Sequence, residues 1–249
     1  MTILLAVLFG TLIGVLLGLI GGGGSILVYL LDQGVHEATA TSLVIVGATA
    51  LVGVVPHARA GRVALKSAFL FGGAGIAGAF AGTWLNNLVS GPLLLLLFGL
   101  LMLVVAARMF LGRKSADTAS SEPPMAVFRW PVLMAGLMVG VMTGFFGVGG
   151  GFLIVPTLVM VLGFPMRLAV GTSLLIIAIN SVAGIAAQLQ NADINWQLAL
   201  LLIAGGLAGA TLGGRLAGRI DEVKLSRGFA VLVTLVGVYP IARNGILVL

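Results

Sequence analysis

Cysteine is absent from the 249 residues and charge is scarce: 13 Lys and Arg, 7 Asp and Glu and 2 His leave only 8% of positions charged. Without cysteine, disulfides, thiolate metal sites and thiol catalysis are excluded. His36 and His57, 21 residues apart, are too few for a transition-metal site, so no metal is expected. No acidic residue falls in the middle of an apolar run: Asp32, Glu37 and Asp193 all sit at expected outer interfaces. A proton relay of intramembrane carboxylates therefore has no candidate. HExxH, a P-loop and paired aspartates in adjacent spans are also missing. These absences argue against an enzyme, against any cofactor, and against ATP as the driving force.

What is present is apolar surface, with 60% of residues hydrophobic. A soluble domain needs a polar exterior and cannot carry that composition. Runs such as "PLLLLLFGLLMLVVAARMF" (92–110) match the roughly 20 residues a helix needs to cross about 30 Å of hydrocarbon, and they lack the alternation of barrel strands. The N-terminus has no basic n-region, which argues against a removable signal peptide. The net charge of +6 comes from basic residues between apolar segments. They act as topology signals, not as a nucleic-acid surface. The partner implied is the lipid bilayer, crossed many times.

One segment is clearly hydrophilic, "GRKSADTASSEPP" at 112–124, and reads as a loop between repeats. On either side of it the sequence repeats. "GVLLGLIGGGGSIL" (14–27) and "GVMTGFFGVGGGFL" (140–153) are identical at seven of fourteen positions. The register continues through Thr41/Thr172, Ser42/Ser173, Gly53/Gly184, Gly75/Gly206, Gly78/Gly209 and Gly82/Gly213. Three parts follow: a first membrane repeat (1–111), a cytoplasmic linker (112–128) and a second membrane repeat (129–249).

Charge orients the two repeats. A single crossing by each glycine-interrupted segment would put Arg59, Arg62 and Lys66 inside but Arg215, Arg219, Lys224 and Arg227 outside, against the positive-inside rule. If residues 3–34 and 130–164 each enter and return as a hairpin bent at the glycines, every Lys and Arg except Arg243 falls on the cytoplasmic side. Three spans per half remain, near 38–56, 66–86 and 92–111, then 167–187, 195–217 and 227–248. The expected fold is an all-α polytopic membrane protein of two inverted repeats, about five helical segments each, opening on glycine-broken hairpins. The second arm of each hairpin is too short to cross.

Gly75, Gly78 and Gly82, with Gly206, Gly209 and Gly213, have the spacing of packing residues. Gly21, Gly22, Gly23 and Gly24, and Gly147 with Gly149, Gly150 and Gly151, cannot all serve one face. They read as breaks, where freed N–H groups at a positive helix end suit an anion. Ser42, Thr49 and Gly53 share one helical stripe, repeated by Ser173, Asn180 and Gly184. Thr49 and Asn180 fall near mid-span, and a side-chain amide at that depth needs partners. Hydroxyls in such helices also bond their own backbone, which leaves a structural role open for each. His57, Arg59 and Gln188, the repeat counterpart of His57, are candidates for gating or coupling, although His57 after Pro56 also suits an interface.

"GLIGGGGSILVYLL" with the later "ATSL", and "GFFGVGGGFLIVPTLVMVLGFPMRLAVGTSL", resemble the two halves of the TauE/SafE sulfite exporter family. The similarity covers nearly the whole chain. It implies export of sulfite or a related organosulfur anion such as sulfoacetate across the bacterial inner (plasma) membrane. The family's signature positions fall here at Gly21, Gly23, Gly24, Thr41 and Ser42, then at Gly147, Gly149, Gly150, Gly151, Pro156, Thr172 and Ser173. Departures are Ser25 opposite Gly151 and a first half five residues shorter between break and Thr-Ser pair. The expectation is a secondary transporter holding a small anion between the two breaks at the midplane, on backbone N–H groups with Ser25, Thr41, Ser42, Thr49, Thr172, Ser173 and Asn180. A channel, a carrier of another solute or metal ion, and a homodimer stay open.

Overall fold

The computed structural model describes residues 2–20, 35–86, 88–89, 91–111, 129–146, 151–188 and 196–248. Among them are nine α-helices. These are α1 (Thr2–Ile20), α2 (Val35–Arg59), α3 (Leu65–Asn86), α4 (Gly91–Leu111), α5 (Arg129–Phe146), the short α6 (Gly151–Pro156), α7 (Met166–Gln188), α8 (Trp196–Ala217) and α9 (Glu222–Val248). The six stretches expected to span are helical, as α2, α3, α4, α7, α8 and α9, each end within five residues of its expected place. Leu65–Leu85, Met166–Ala186 and Ala199–Ala217 are each long and apolar enough to cross a membrane. Pro92 and Pro131 lie in first turns, where the missing N–H has no helical acceptor to lose.

The glycine break at 21–24 and the linker 112–128 lie outside the described residues. After 147–150, also outside them, α6 runs on into a π-helical turn, Thr157–Val161. Together these 11 residues extend about 16 Å, half a bilayer. Gly163, at φ 70°, closes this arm, with the Phe164 N–H donating to the Leu158 carbonyl at 2.9 Å. Gly61, at φ 69°, closes α2 in the same way. There the Arg62 N–H reaches the His57 carbonyl at 2.8 Å and the Gly61 N–H the Ala58 carbonyl at 3.0 Å.

Two glycine seams set the helix directions. Gly10, Gly14 and Gly18 of α1 lie against the carbonyls of Leu202, Gly206 and Ala210 on α8, so the two helices are parallel. Gly205, Gly209 and Gly213 return the contact against Val7, Thr11 and Val15. The second seam joins α5 to α3: Gly136, Gly140 and Gly144 against Phe71, Gly75 and Ala79, with Gly78 and Gly82 against Leu137 and Val141. This pair is parallel too. In lipid, helices gain little from hiding apolar surface, and small residues that admit close backbones supply the attraction. The repeated approach of glycine to carbonyl also suits weak Cα–H···O bonds, roughly 0.5–1 kcal/mol each.

Between the seams, α2 and α7 pack antiparallel, with Leu43 beside Gly184, Gly47 beside Ser181, Gly53 beside Leu174 and His57 beside Gly171. α2 runs parallel to α8, from Thr49 beside Gly206 to His57 beside Gly214. α7 follows α3, from Thr172 at Ala64 to Asn180 at Gly75. α4 lies along α9, where Gly237 meets Gly99 and Met102. More of α7 is buried (56%) than of α3 (33%) or α8 (44%), which makes it the central helix. Its Leu174, Ile176 and Ile177 share one core with Phe71, Phe152 and Phe229.

Neighbours are exchanged symmetrically: α1 with α8 and α5 with α3, α2 with α8 and α7 with α3. The α2–α3 turn, the start of α7 and the α8–α9 turn meet at one end, carrying Arg59, Arg62, Lys66, Arg167, Arg215, Arg219 and Lys224. This is the basic end. Trp84, Trp130 and Trp196 are exposed near helix termini, as interfacial tryptophans are.

The seams predict opposite outcomes for chemically identical changes. Gly140→Ala places a Cβ on the Gly75 carbonyl and should destabilise the purified protein by about 1–3 kcal/mol. Gly73→Ala, with nothing within 4 Å of the new Cβ, should stabilise it by up to about 1 kcal/mol. Thermal melts in detergent compare the two.

Candidate functional site

Two polar side chains stand near the middle of the α2–α7 crossing. Thr49 on α2 is fully buried, and its Oγ1 has no hydrogen-bond partner among the described residues. It faces Gly206 of α8, where a Cβ would stand 2.6 Å from Oγ1 and 3.6 Å from the Gly10 carbonyl oxygen. Asn180 on α7 is half-buried, and its Oδ1 is buried and equally unpartnered among the described residues. It faces Gly75 of α3, where a Cβ would stand 3.8 Å from Nδ2 and 3.5 Å from the Gly136 carbonyl oxygen. Thr49 and Asn180 occupy corresponding places in the two halves, and so do Gly206 and Gly75. Each half thus sets one polar group against a glycine of the other half's neighbouring helix.

An unbonded buried polar atom costs about 1–3 kcal/mol. Sites that carry such a cost without compensation are candidates for ligand contact. A threonine hydroxyl donates or accepts, and a half-turn of the amide exchanges Oδ1 and Nδ2, so both groups suit an anion acceptor.

The other expected site residues do not gather at this depth. Thr172 and Ser173 lie toward the basic end. The Thr172 Oγ1 accepts from the Ala64 N–H at 3.0 Å, pinning the α2–α3 turn to α7, and the Ser173 Oγ donates to the Val170 carbonyl at 2.8 Å. Seven residues, about 10 Å of helix, separate Ser173 from Asn180. Thr41 and Ser42 are near the start of α2, toward the opposite end, and their side chains lie outside the described residues. Gly151 opens α6 and is buried. Gly22, Gly23, Gly24, Ser25, Gly149 and Gly150 also lie outside the described residues.

The helices leading into the breaks end far apart. Near the end of α1, the Gly18 carbonyl accepts from His57 Nε2 at 3.2 Å, at the basic end. Near the end of α5, Gly144 meets Ala79, past the depth of Asn180 toward the other end. α1 and α5 are 19 and 18 residues long, close to a full bilayer at about 1.5 Å per residue, and the breaks between which the anion is expected lie outside the described residues.

The sequence model of the family described as sulfite exporter TauE/SafE matches residues 6–239. The chain belongs to the TauE/SafE sulfite exporter family. Among its relatives is a probable membrane transporter protein of Xylella fastidiosa, 38% identical over 94% of this chain and 93% of its own length. Another is the probable membrane transporter protein YdhB of Bacillus subtilis, 28% identical over 94% of this chain and 98% of its own. No solved structure matches. This TauE/SafE chain is a multi-pass membrane transporter, not an enzyme.

In the TauE/SafE chain His57 is a junction between halves. It is buried, touches α1 through Gly18, and sits against Gly171 of α7 and Gly214 of α8. Because a carbonyl only accepts, Nε2 carries the proton in that bond. The other ring nitrogen, Nδ1, is buried with no partner among the described residues. Arg59 is exposed at the same end, and Gln188 ends α7 at the other, its side chain outside the described residues. Sequence reasoning missed the seam glycines of α1 and α5, although Gly10-Gly14-Gly18 and Gly136-Gly140-Gly144 show the four-residue spacing that identifies them.

If Thr49 and Asn180 are kept for a ligand and not for packing, removing their polarity should stabilise the empty protein. Thr49→Val and Asn180→Leu are each expected to stabilise the protein by about 1 kcal/mol, read as a higher melting temperature in detergent. A fall in both would mean that these groups have structural partners.

Proposed function

We propose that this chain is a secondary transporter that exports sulfite or a related small organosulfur anion such as sulfoacetate by alternating access. The observation that carries the proposal is the pair of unspent polar groups, Thr49 and Asn180, near the middle of two antiparallel central helices. The anion is held there by the Thr49 hydroxyl and the Asn180 amide. The Thr-Ser pairs 41–42 and 172–173, with the breaks at Gly22 to Ser25 and Gly149 to Gly151, line its way to either face. The family description supplies the substrate class.

The moving parts are two inverted repeats, 1–111 and 129–249, joined by a cytoplasmic linker at 112–128. The helix directions support this. α1 and α2 both run toward the basic end and α3 runs away from it, whereas α5 and α7 run away and α8 runs toward it. Such reversal lets one repeat rock against the other around a fixed mid-depth site. His57, bonded across to α1 and packed on α7 and α8, suits a gate at the basic end.

The test is sulfite flux in proteoliposomes kept free of oxygen. Saturable flux is expected, falling about tenfold or more in Thr49→Val and Asn180→Leu, the loss of one hydrogen bond worth about 1.4 kcal/mol. Gly24→Leu and Gly150→Leu should also be impaired while remaining folded. Flux no faster than in protein-free vesicles rejects the substrate, and flux that never saturates and tracks membrane potential alone rejects the carrier mechanism in favour of a channel.

A further inference from the structure

The α8–α9 turn at the basic end receives two guanidinium groups, one from each half of the chain. Arg62 follows Gly61 in the turn that closes α2, and its carbonyl presses on Gly171. Its guanidinium lies over Gly218: a Cβ built there would stand 2.8 Å from Nη1 and 3.6 Å from Nη2. Arg167, in the first turn of α7, donates from Nη2 to the Ile220 carbonyl at 2.8 Å. Its Nε is buried with no partner among the described residues. Both arginines are half-buried. Asp221 and Glu222 follow directly in the chain, yet among the described residues neither Arg62 nor Arg167 forms an ion pair.

Basic residues at this end satisfy the positive-inside rule, and a cation near the end of α8 complements its dipole. Neither role requires two planar groups from opposite halves to converge on one turn, nor a glycine at 218 that leaves room for the Arg62 guanidinium. Two unneutralised guanidiniums with spare N–H donors match an oxyanion, which the arginine fork binds in bidentate fashion.

We propose that Arg62 and Arg167, set against Gly218–Ile220, form an entrance site that takes the transported oxyanion at the basic end before it reaches Thr49 and Asn180. Thirteen residues, about 20 Å of α7, separate Arg167 from Asn180, so the two sites are distinct. The inference rests on the anion-transport function proposed above.

The test is the initial rate of sulfite transport against sulfite concentration on the basic side, in vesicles of phosphatidylcholine alone and in vesicles that also contain phosphatidylglycerol. Arg62→Gln and Arg167→Gln are each expected to raise KM about tenfold with the maximal rate within about twofold of the parent. Gly218→Val, which keeps both charges but displaces the Arg62 guanidinium, should do the same, while Lys224→Gln, an exposed charge at the same end, should not. A parental KM in Arg62→Gln and Gly218→Val overturns the proposal. A KM rise confined to vesicles with phosphatidylglycerol also overturns it, in favour of a lipid-headgroup site. If the parent transports no sulfite, the transport function fails by itself. Thermal stabilisation of the detergent-purified protein by sulfite then reads the entrance site directly: its loss in Arg62→Gln supports the site, and its persistence rejects it.

Discussion

Everything in this fold depends on how closely two pairs of backbones approach. Along α1–α8 and α5–α3, glycines lie directly against carbonyl oxygens of the facing helix, at separations that no side chain permits. A bilayer offers helices little reward for burying apolar surface, so close packing is what holds the pairs together. The contact also fixes direction. α1 and α2 both run parallel to α8, so α2 begins at the end of the bundle opposite to the one where α1 ends. The same holds between α5 and α7, where the half-bilayer arm of α6 and its π turn carries part of the return.

The crossing of α2 and α7 builds on that frame. With the outer pairs locked by glycine, the central helices bring Thr49 and Asn180 to similar depth, each opposite a glycine of the other half. A side chain in place of Gly206 would press on the Thr49 hydroxyl. The same glycines that allow tight packing thus lie directly against the two polar groups.

The basic end is organised differently, by turns. Gly61 takes a left-handed conformation, the Ala64 N–H is tied to Thr172, and the guanidiniums of Arg62 and Arg167 come down on the α8–α9 turn. His57 joins the end of α1 to both central helices there. Elements of both halves are therefore coupled at the face where charge is concentrated.

The amino-acid order by itself determined the membrane class, the six long helices and the family. Each rests on local or periodic signals: unbroken apolar length, glycine and Thr-Ser positions in register, and basic residues between spans. It also marked Asn180, because a lone amide in an apolar helix stands out in one dimension. Only the tertiary structure decided which polar residues share a depth. Thr172 and Asn180 sit on one helix, but Thr172 is engaged by the α2–α3 turn while Asn180 faces Gly75, and nothing in the chain order encodes that difference. Where α1 and α5 end, one at the basic end and the other past the depth of Asn180 toward the opposite end, was likewise decided by packing. Spacing along a helix gives height and face, whereas the partner of each face is set by packing between segments that are distant in sequence.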